Sequence, residues 1–208
     1  STRITRVTLV AADAVLVIDA GTSALRSVLV GADGSARTLA SLDWPMFTPE
    51  DAAPYGREYQ AIDVRLWLDD LIRSAERVDV RVAAVAVTGQ REGLAFTLPG
   101  SGEPYVISPN IDARASAEGI AIDAHMAAAV YAATGHLPSL MQAPAKWRWL
   151  REHRDVRSDG GVMPLPDSIA WLLTHGGESV AAPRMSRSLA VENGLAPLVG
   201  RLPDDPYA

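Results

Sequence analysis

Three short polar segments of the sequence carry side chains suited to holding a phosphorylated or hydroxyl-rich ligand. The first, Asp19–Arg26, combines a carboxylate, a glycine, two hydroxyls and a guanidinium. Gly21 lets the backbone approach a bulky anion. The hydroxyls of Thr22 and Ser23, with the amides of the turn, can donate to phosphate oxygens, and Arg26 can add a forked donor. This composition predicts a phosphate-binding turn.

Asp19 stands at the end of a short apolar run, Val15–Ile18, which is typical of a buried strand. A carboxylate in that place can hold a hydrated Mg²⁺ through its waters, since this ion needs only one or two protein carboxylates. Asp, Gly, Thr and Ser are also frequent turn formers. An ordinary hairpin turn is therefore the alternative interpretation.

The second segment contains Gln90, Arg91 and Glu92 and directly follows the apolar run Arg81–Val87. That run predicts a strand buried on both faces. Strand ends are where ligands bind in open α/β sheets, and a cluster of donors and acceptors suits a small polyhydroxylated molecule. The alternative is a solvated loop.

In the third segment, Asn110, Asp112 and Arg114 alternate just before a helical pattern. A ligand role is one interpretation. The other is that Asp112 caps the helix and pairs with Arg114. Each segment is weak evidence alone, and their order along the chain carries more.

The elements that must position these segments begin with three short strands joined by tight turns, which predict an antiparallel meander. A proline-containing loop follows at Trp44–Gly56, and then a helix with Asp63 as its N-cap. A strand at Gly93–Leu98 is closed by the turn Pro99–Pro104. The remaining strands and helices are predicted at Arg26–Val30, Arg37–Leu42, Ala113–Ala133, Pro144–His153 and Asp167–Thr174.

This order predicts an α/β domain with a mixed sheet, an antiparallel meander followed by parallel strands, flanked by helices. It does not fit a dinucleotide-binding unit, because the first strand turns back into a strand rather than a helix. Residues 14–208 form the predicted domain, and residues 1–13 look like an extension.

Composition narrows the functional class. The chain has 208 residues, no cysteine and a formal charge of −6, which excludes a disulfide framework and argues against a nucleic-acid partner. No apolar run reaches the roughly 18 residues that span a bilayer, and no signal peptide is evident. We expect a cytoplasmic protein without a membrane partner. The sequence leaves the oligomeric state open, and a homodimer is among the alternatives.

Taken together, the segments resemble the FGGY carbohydrate kinases, which transfer the γ-phosphoryl of ATP to a sugar or polyol. The family's opening D-x-G-T-x-S-x-R turn matches Asp19–Arg26, with Ala24 or Leu25 in place of its second serine. Its strand leading into T-x-Q matches Val85–Gln90. Further collinear matches are Asn110–Arg114, Thr134-Gly135, Lys146–Leu150 and Asp167–Thr174.

The resemblance implies an actin-like, ribonuclease-H-like domain with ATP and Mg²⁺ as cofactors. Asp19 would lie near Mg²⁺, and Gly21, Thr22 and Arg26 would line the phosphate side. Substrate contacts would come from Arg91, Glu92 and Asp112, supported by Gln90, Asn110 and Arg114. Within the family, the segments Arg91–Gly93 and Asn110–Ala115 look most like the autoinducer-2 kinase branch, and Gln90–Glu92 next like the glycerol kinase branch.

The family's catalytic base and adenosine pocket belong to a second domain, and no Gly-Gly-x-Asp-like segment occurs here. We therefore expect the N-terminal, substrate-binding half of a kinase, inactive alone, with no catalytic base among these residues. Its partners would be its own C-terminal nucleotide-binding domain and a small polyhydroxylated substrate. A stand-alone sugar-binding or regulatory module is the alternative. The four histidines show no metal-ligand spacing.

Overall fold

The computed structural model describes residues 14–99, 102–154, 160–175 and 184–202. The predicted extension at 1–13 and the centre of the turn at 99–104 lie outside these ranges. The elements, in chain order, are β1 Ala14–Ala20, β2 Ala24–Gly31, β3 Ala36–Asp43, β4 Met46–Phe47, a 3₁₀ turn Glu50–Ala52, β5 Glu58–Tyr59, α1 Ala61–Glu76, β6 Val82–Gly89, β7 Leu94–Thr97, β8 Pro104–Ser108, α2 Ser116–Thr134, α3 Ala143–His153, β9 Gly161–Pro164, α4 Leu165–His175 and α5 Arg187–Glu192.

Two sheets form the frame of the domain. The first has the strand order β3-β2-β1-β6, in which β1–β3 are an antiparallel meander and β6 runs parallel to β1. This mixed sheet confirms the predicted fold class. The second sheet, with the order β4-β5-β8-β7-β9, is antiparallel and was not predicted.

Helices α1 and α4 fill the space between the two sheets. Leu16 and Ile18 of β1 pack with Leu68 of α1 and Ile169 of α4 in one buried cluster. The second sheet is also covered on its other face, where Phe96 of β7 joins side chains of α2 and α3. Because neighbouring residues of a strand point to opposite faces, the short strand β7 contributes to both clusters and all four of its residues are buried.

Strand β6 corrects one prediction. The run Arg81–Val87 was expected to be buried on both faces, but β6 is an edge strand with a single partner in the described sheet. Residues 83–86 are exposed, and Val85 keeps 49% of its accessible surface. An apolar run indicates a strand but does not distinguish a central position from an edge.

The start of α1 shows that a second prediction, Asp63 as the N-cap, was wrong. The helix begins at Ala61, with Gln60 as the N-cap residue, so Asp63 lies inside the first turn and does not cap it. A carboxylate there still interacts favourably with the helix dipole. Apolar residues at helical spacing form the buried face of α1, since Val64, Leu68 and Leu71 are buried.

Candidate functional site

The β1–β2 hairpin presents the first polar segment. Asp19 and Arg26 are opposite residues in the antiparallel register, and Arg26 Nη1 donates to Asp19 Oδ2 at 3.2 Å. The turn is closed by the amide of Gly21, which donates to the carbonyl of Ala24 at 3.1 Å. Ser23 is exposed at the tip. The segment thus forms a hairpin turn, as the alternative interpretation predicted, and it holds the Asp19 carboxylate next to the Arg26 guanidinium.

Parallel pairing brings the second segment next to this hairpin. Strands β1 and β6 end together, with Ala20 opposite Gly89, and the amide of Gln90 donates to the carbonyl of Ala20 at 2.9 Å. A Cβ on Gly89 would lie 2.6 Å from that same oxygen, closer than real contacts allow. Glycine at 89 therefore permits the close approach that places Gln90 at the carboxyl end of the sheet.

Four side chains, which we call the Gln90 cluster, join the three polar segments: Thr22, Tyr59, Gln90 and Asn110. Gln90 Oε1 accepts from the amide of Asn110 at 2.7 Å, and Gln90 Nε2 donates to the Tyr59 hydroxyl at 3.1 Å. The Tyr59 hydroxyl donates to the carbonyl of Thr22 at 2.5 Å, and Thr22 Oγ1 donates to Asn110 Oδ1 at 3.1 Å. Residues far apart in sequence thus form one closed set of hydrogen bonds.

Tyr59 was missed by the sequence analysis. Its ring is buried and lies 4.0 Å from that of Trp44, centroid to centroid. Burial raises the pKa of Tyr59, so its hydroxyl stays protonated and can donate to Thr22. It ends the two-residue strand β5, which is too short to show any periodicity. No local signal could have identified it.

Asp112 and Arg114 form a buried ion pair beneath the cluster. Arg114 Nε donates to Asp112 Oδ2 at 2.8 Å, and Arg114 Nη1 donates to Glu58 at 2.6 Å. Asp112 has no accessible surface and also accepts from Ser108 Oγ at 2.6 Å. The predicted pairing is therefore present, but helix capping is wrong, because α2 begins at Ser116 without a side-chain cap.

This pair holds the loop that carries Asn110. Asp112 Oδ1 also accepts from the amide of Arg57 at 3.1 Å, and Arg114 Nη2 donates to the Arg57 carbonyl at 3.0 Å. The loop is thus tied to the segment before β5. A direct contact between substrate and Asp112 or Arg114 stays a prediction, and their observed contacts are with other protein groups.

Arg91 and Glu92 lie beside the cluster but outside it. The Arg91 side chain is 78% exposed, and Nη1 lies 3.5 Å from Glu192 Oε1 of α5. Glu92 has a positive φ of 58°, a conformation uncommon for residues other than glycine. The backbone therefore turns sharply here and leaves the Arg91 guanidinium open to solvent.

Lys146 forms hydrogen bonds to the backbone of both the second and the third polar segments. Its ammonium is fully buried on α3 and donates to the carbonyls of Glu92 at 3.4 Å and Pro109 at 3.1 Å. Burial lowers the pKa of Lys146 to about 8. The sequence did offer a signal, because this is the chain's single lysine and it lies in a helix rich in buried tryptophan.

Because Lys146 is buried, the free energy of unfolding should change with pH in the alkaline range. The folded chain releases the Lys146 proton near pH 8, whereas the unfolded chain keeps it until about pH 10.4. The free energy of unfolding should therefore rise between these two values, by up to about 3 kcal/mol. Urea denaturation at several pH values should show this rise in the parent chain and its loss in Lys146→Met. Parallel pH profiles for the two proteins would contradict the prediction.

Two surface clefts lie away from the Gln90 cluster. One, of about 450 Å³, is lined by residues that include Arg65, Glu103 and Tyr105, and the other, of about 510 Å³, lies along α1 and α4. Neither includes a residue of the cluster. In the described chain the cluster faces an open surface at the carboxyl ends of β1 and β6. Among the described residues, no helix is long and apolar enough to cross a membrane.

Comparison with known proteins places this fold among carbohydrate kinases. No family model matches the sequence, and no curated protein matches it. Solved structures do match. A xylulose kinase from Lactobacillus acidophilus is similar over 94% of this chain, with a TM-score of 0.73 and 19% identity. A xylulose kinase from Rhodospirillum rubrum is similar over 89%, with a TM-score of 0.71 and 24% identity.

A third match is the glycerol kinase from Plasmodium falciparum with ADP, which is similar over 89% of this chain, with a TM-score of 0.64 and 14% identity. This chain spans about two-fifths of the length of these structures, namely 39%, 38% and 42%. At such identities the likeness establishes the fold, which is the mixed α/β fold of a sugar-kinase domain.

Proposed function

We propose that this chain is the N-terminal, substrate-binding part of an FGGY-type carbohydrate kinase. The observation that carries the proposal is the Gln90 cluster. Three segments singled out for their chemistry meet at the carboxyl ends of two parallel strands, in a fold shared with xylulose and glycerol kinases. That edge is where ligands bind in α/β sheets.

The reaction would form a bond between a substrate hydroxyl oxygen and the γ-phosphorus of ATP and break the bond to ADP. The hydroxyl proton would pass to a carboxylate. We place that carboxylate and the adenosine pocket in a second domain, as the resemblance to the family implies. Asp112 does not replace it in this proposal, because it is buried and engaged by Arg114. The 208-residue chain alone should bind substrate and should not turn over ATP.

Asp19 fits a role toward hydrated Mg²⁺. Its side chain is 32% exposed, and among the described residues its one side-chain hydrogen bond comes from Arg26 to Oδ2. The second oxygen can therefore accept from the water shell that this ion retains. Magnesium supplies charge neutralisation for the transferring phosphoryl group. Arg26 keeps the carboxylate oriented. The Gly21 amide and the Thr22 hydroxyl donate to Ala24 and Asn110 within the protein, so their contact with phosphate stays a prediction.

We infer a small polyhydroxylated substrate that contacts Arg91 and Glu92 on the open side of the cluster. The exposed Arg91 guanidinium and the half-buried Glu92 carboxylate offer donors and acceptors to vicinal hydroxyls or carbonyls. The preferred class is an open-chain polyol or a dihydroxy-dione of the autoinducer-2 type, which the residues at 90–93 and 110–115 resemble. A cytoplasmic location is part of this proposal, because ATP is its phosphoryl donor.

The test is an ADP-release assay with the protein made from its complete gene, screened against polyols, ketoses and dihydroxy-diones. We expect turnover with one of these classes, and none from the 208-residue chain in the same assay. Substrate binding without turnover by the full-length protein would favour the sugar-binding module instead. Turnover by the 208-residue chain would contradict the placement of the base.

Arg91→Ala in the full-length enzyme should raise KM about 10- to 150-fold with little change in kcat. The reason is that loss of one charged hydrogen-bond partner costs about 1.5–3 kcal/mol. Steady-state kinetics check this, with the exposed Arg73→Ala on α1 as the matched control.

Asp19→Ala is the contrasting variant and should lower kcat more than it changes substrate affinity.

A change in KM below twofold for Arg91→Ala would assign that side chain to a solvated loop.

A further inference from the structure

Outside the Gln90 cluster, the ends of two packed helices bring three potential metal ligands together. Glu118 lies in the first turn of α2, and Glu152 and His153 close α3. One ligand atom from each lies within 4.8 Å of the others. Because Glu118 lies more than 30 positions before Glu152 and His153, the sequence shows no metal-ligand spacing, and this grouping was not predicted.

Glu118 is the observation that points to a ligand. The residue is 92% buried, with 8% of its surface accessible, and its Oε2 has no hydrogen-bond partner. A buried carboxylate oxygen is costly to leave unpaired. One oxygen of the same carboxylate lies within 4.8 Å of ligand atoms of Glu152 and His153, so a cation among the three would satisfy the buried carboxylate.

His153 is held in the form that a metal requires. Its Nδ1 lies 3.0 Å from the carbonyl of Trp149, and a carbonyl only accepts, so Nδ1 carries the hydrogen. The lone pair of the neutral ring is then on Nε2. A histidine that donates its other nitrogen to a backbone carbonyl is the usual arrangement in metal sites. The ring also stacks on Trp149 with centroids 4.5 Å apart and planes 5° from parallel.

Neighbouring charges leave room for a cation. Arg148 Nε donates to Glu152 Oε1 at 3.0 Å, but this pair is exposed and such pairs contribute little. The guanidinium of Arg154 lies over Trp149 and is already paired with Asp51 and Glu58. Two carboxylates and one imidazole therefore lie together, and in the described part of the chain the cation seen to pair with one of them, Arg148, is weakly held.

We propose that Glu118, Glu152 and His153 bind one divalent transition-metal ion of the Zn²⁺ class and fasten α2 to α3. One imidazole nitrogen with two carboxylate oxygens suits Zn²⁺, whereas Mg²⁺ and Ca²⁺ prefer oxygen ligands alone. The ligand atoms must approach each other slightly, a movement that the exposed Glu152 side chain can supply. This site is independent of the proposed kinase function.

The test uses the 208-residue chain after chelator treatment and dialysis, titrated with ZnCl₂ by calorimetry and in competition with a chromophoric chelator. We expect one Zn²⁺ per chain with a dissociation constant below 10 µM, no competition from millimolar MgCl₂, and a melting temperature raised by several degrees.

Glu118→Gln and His153→Ala should each weaken Zn²⁺ binding at least tenfold and abolish the thermal shift. His125→Ala, an exposed histidine on α2, is the matched control and should change neither. Glu118→Gln nearly preserves the shape of the buried side chain, and circular dichroism verifies that it folds. Failure to bind Zn²⁺ at 100 µM, or binding that survives both ligand variants, would overturn the proposal.

Discussion

Arg114→Met should unfold with a free energy about 3–5 kcal/mol below that of the parent chain. The guanidinium is 1% exposed and lies between Asp112 and Glu58, at 2.8 and 2.6 Å. Removal of one partner from a buried ion pair leaves an uncompensated charge, and this costs far more than the intact pair contributes. Glu58 keeps a second cation, Arg154, at 2.7 Å, so most of the loss arises at Asp112.

Urea denaturation followed by tryptophan fluorescence measures this effect. Arg73→Met is the matched control, because that side chain is 62% exposed with its acidic partners 3.9 Å away. We expect the control to stay within about 0.5 kcal/mol of the parent. Addition of Asp112→Asn to Arg114→Met should recover part of the loss. A loss below about 1 kcal/mol for Arg114→Met would show that the pair is not buried in solution.

Gln90→Leu should cost about 2–4 kcal/mol and should disable the site of the full-length enzyme. The glutamine is 7% exposed, and its amide accepts from the Asn110 amide at 2.7 Å and donates to the Tyr59 hydroxyl at 3.1 Å. Leucine has a similar size but leaves both groups without this partner. Each unsatisfied buried polar group costs about 1–3 kcal/mol.

Gln90→Glu separates the two hydrogen bonds. The protonated carboxyl can keep both bonds, whereas the carboxylate cannot donate to Tyr59 and brings an unpaired charge to a buried position. The loss in stability should therefore be smallest at acidic pH and should grow as the carboxyl ionises. Gln60→Leu is the control, since Gln60 is exposed and makes no side-chain cap to α1. Equal stability of Gln90→Leu and Gln60→Leu in chemical denaturation would contradict the role of the cluster.

Regular patterns in the sequence predicted the strands of the first sheet and the helices α1–α4, but not α5. The meander β1–β3 follows from apolar runs separated by turn residues, and the face of α1 follows from helical spacing. The three polar segments were also predicted separately. Their meeting depends on Gly89 and Ala20 ending two parallel strands in register, which no local pattern encodes.

The second sheet could not be predicted in the same way. Strands β4 and β5 have two residues each, and β9 pairs with β7 across almost 70 positions, as in Leu94 opposite Pro164. Such pairing is fixed by tertiary contacts and leaves no periodicity. Tyr59 was missed for a related reason, because its hydrogen-bond partners are distant in sequence and only the folded chain brings them near.

Residues 89 and 90, which are held in place within the candidate site, and residue 91, which is exposed beside it, should tolerate mutation to different degrees. Gly89 is constrained by the Ala20 carbonyl, 2.6 Å from any added Cβ, and Gln90 by three polar partners. Arg91 points into solvent. Substitutions at residue 91 should therefore cost little stability and leave the backbone of the site unchanged. In a combinatorial library, diversity at 91 would alter ligand preference among folded members, whereas diversity at 89 and 90 would mainly produce unfolded ones.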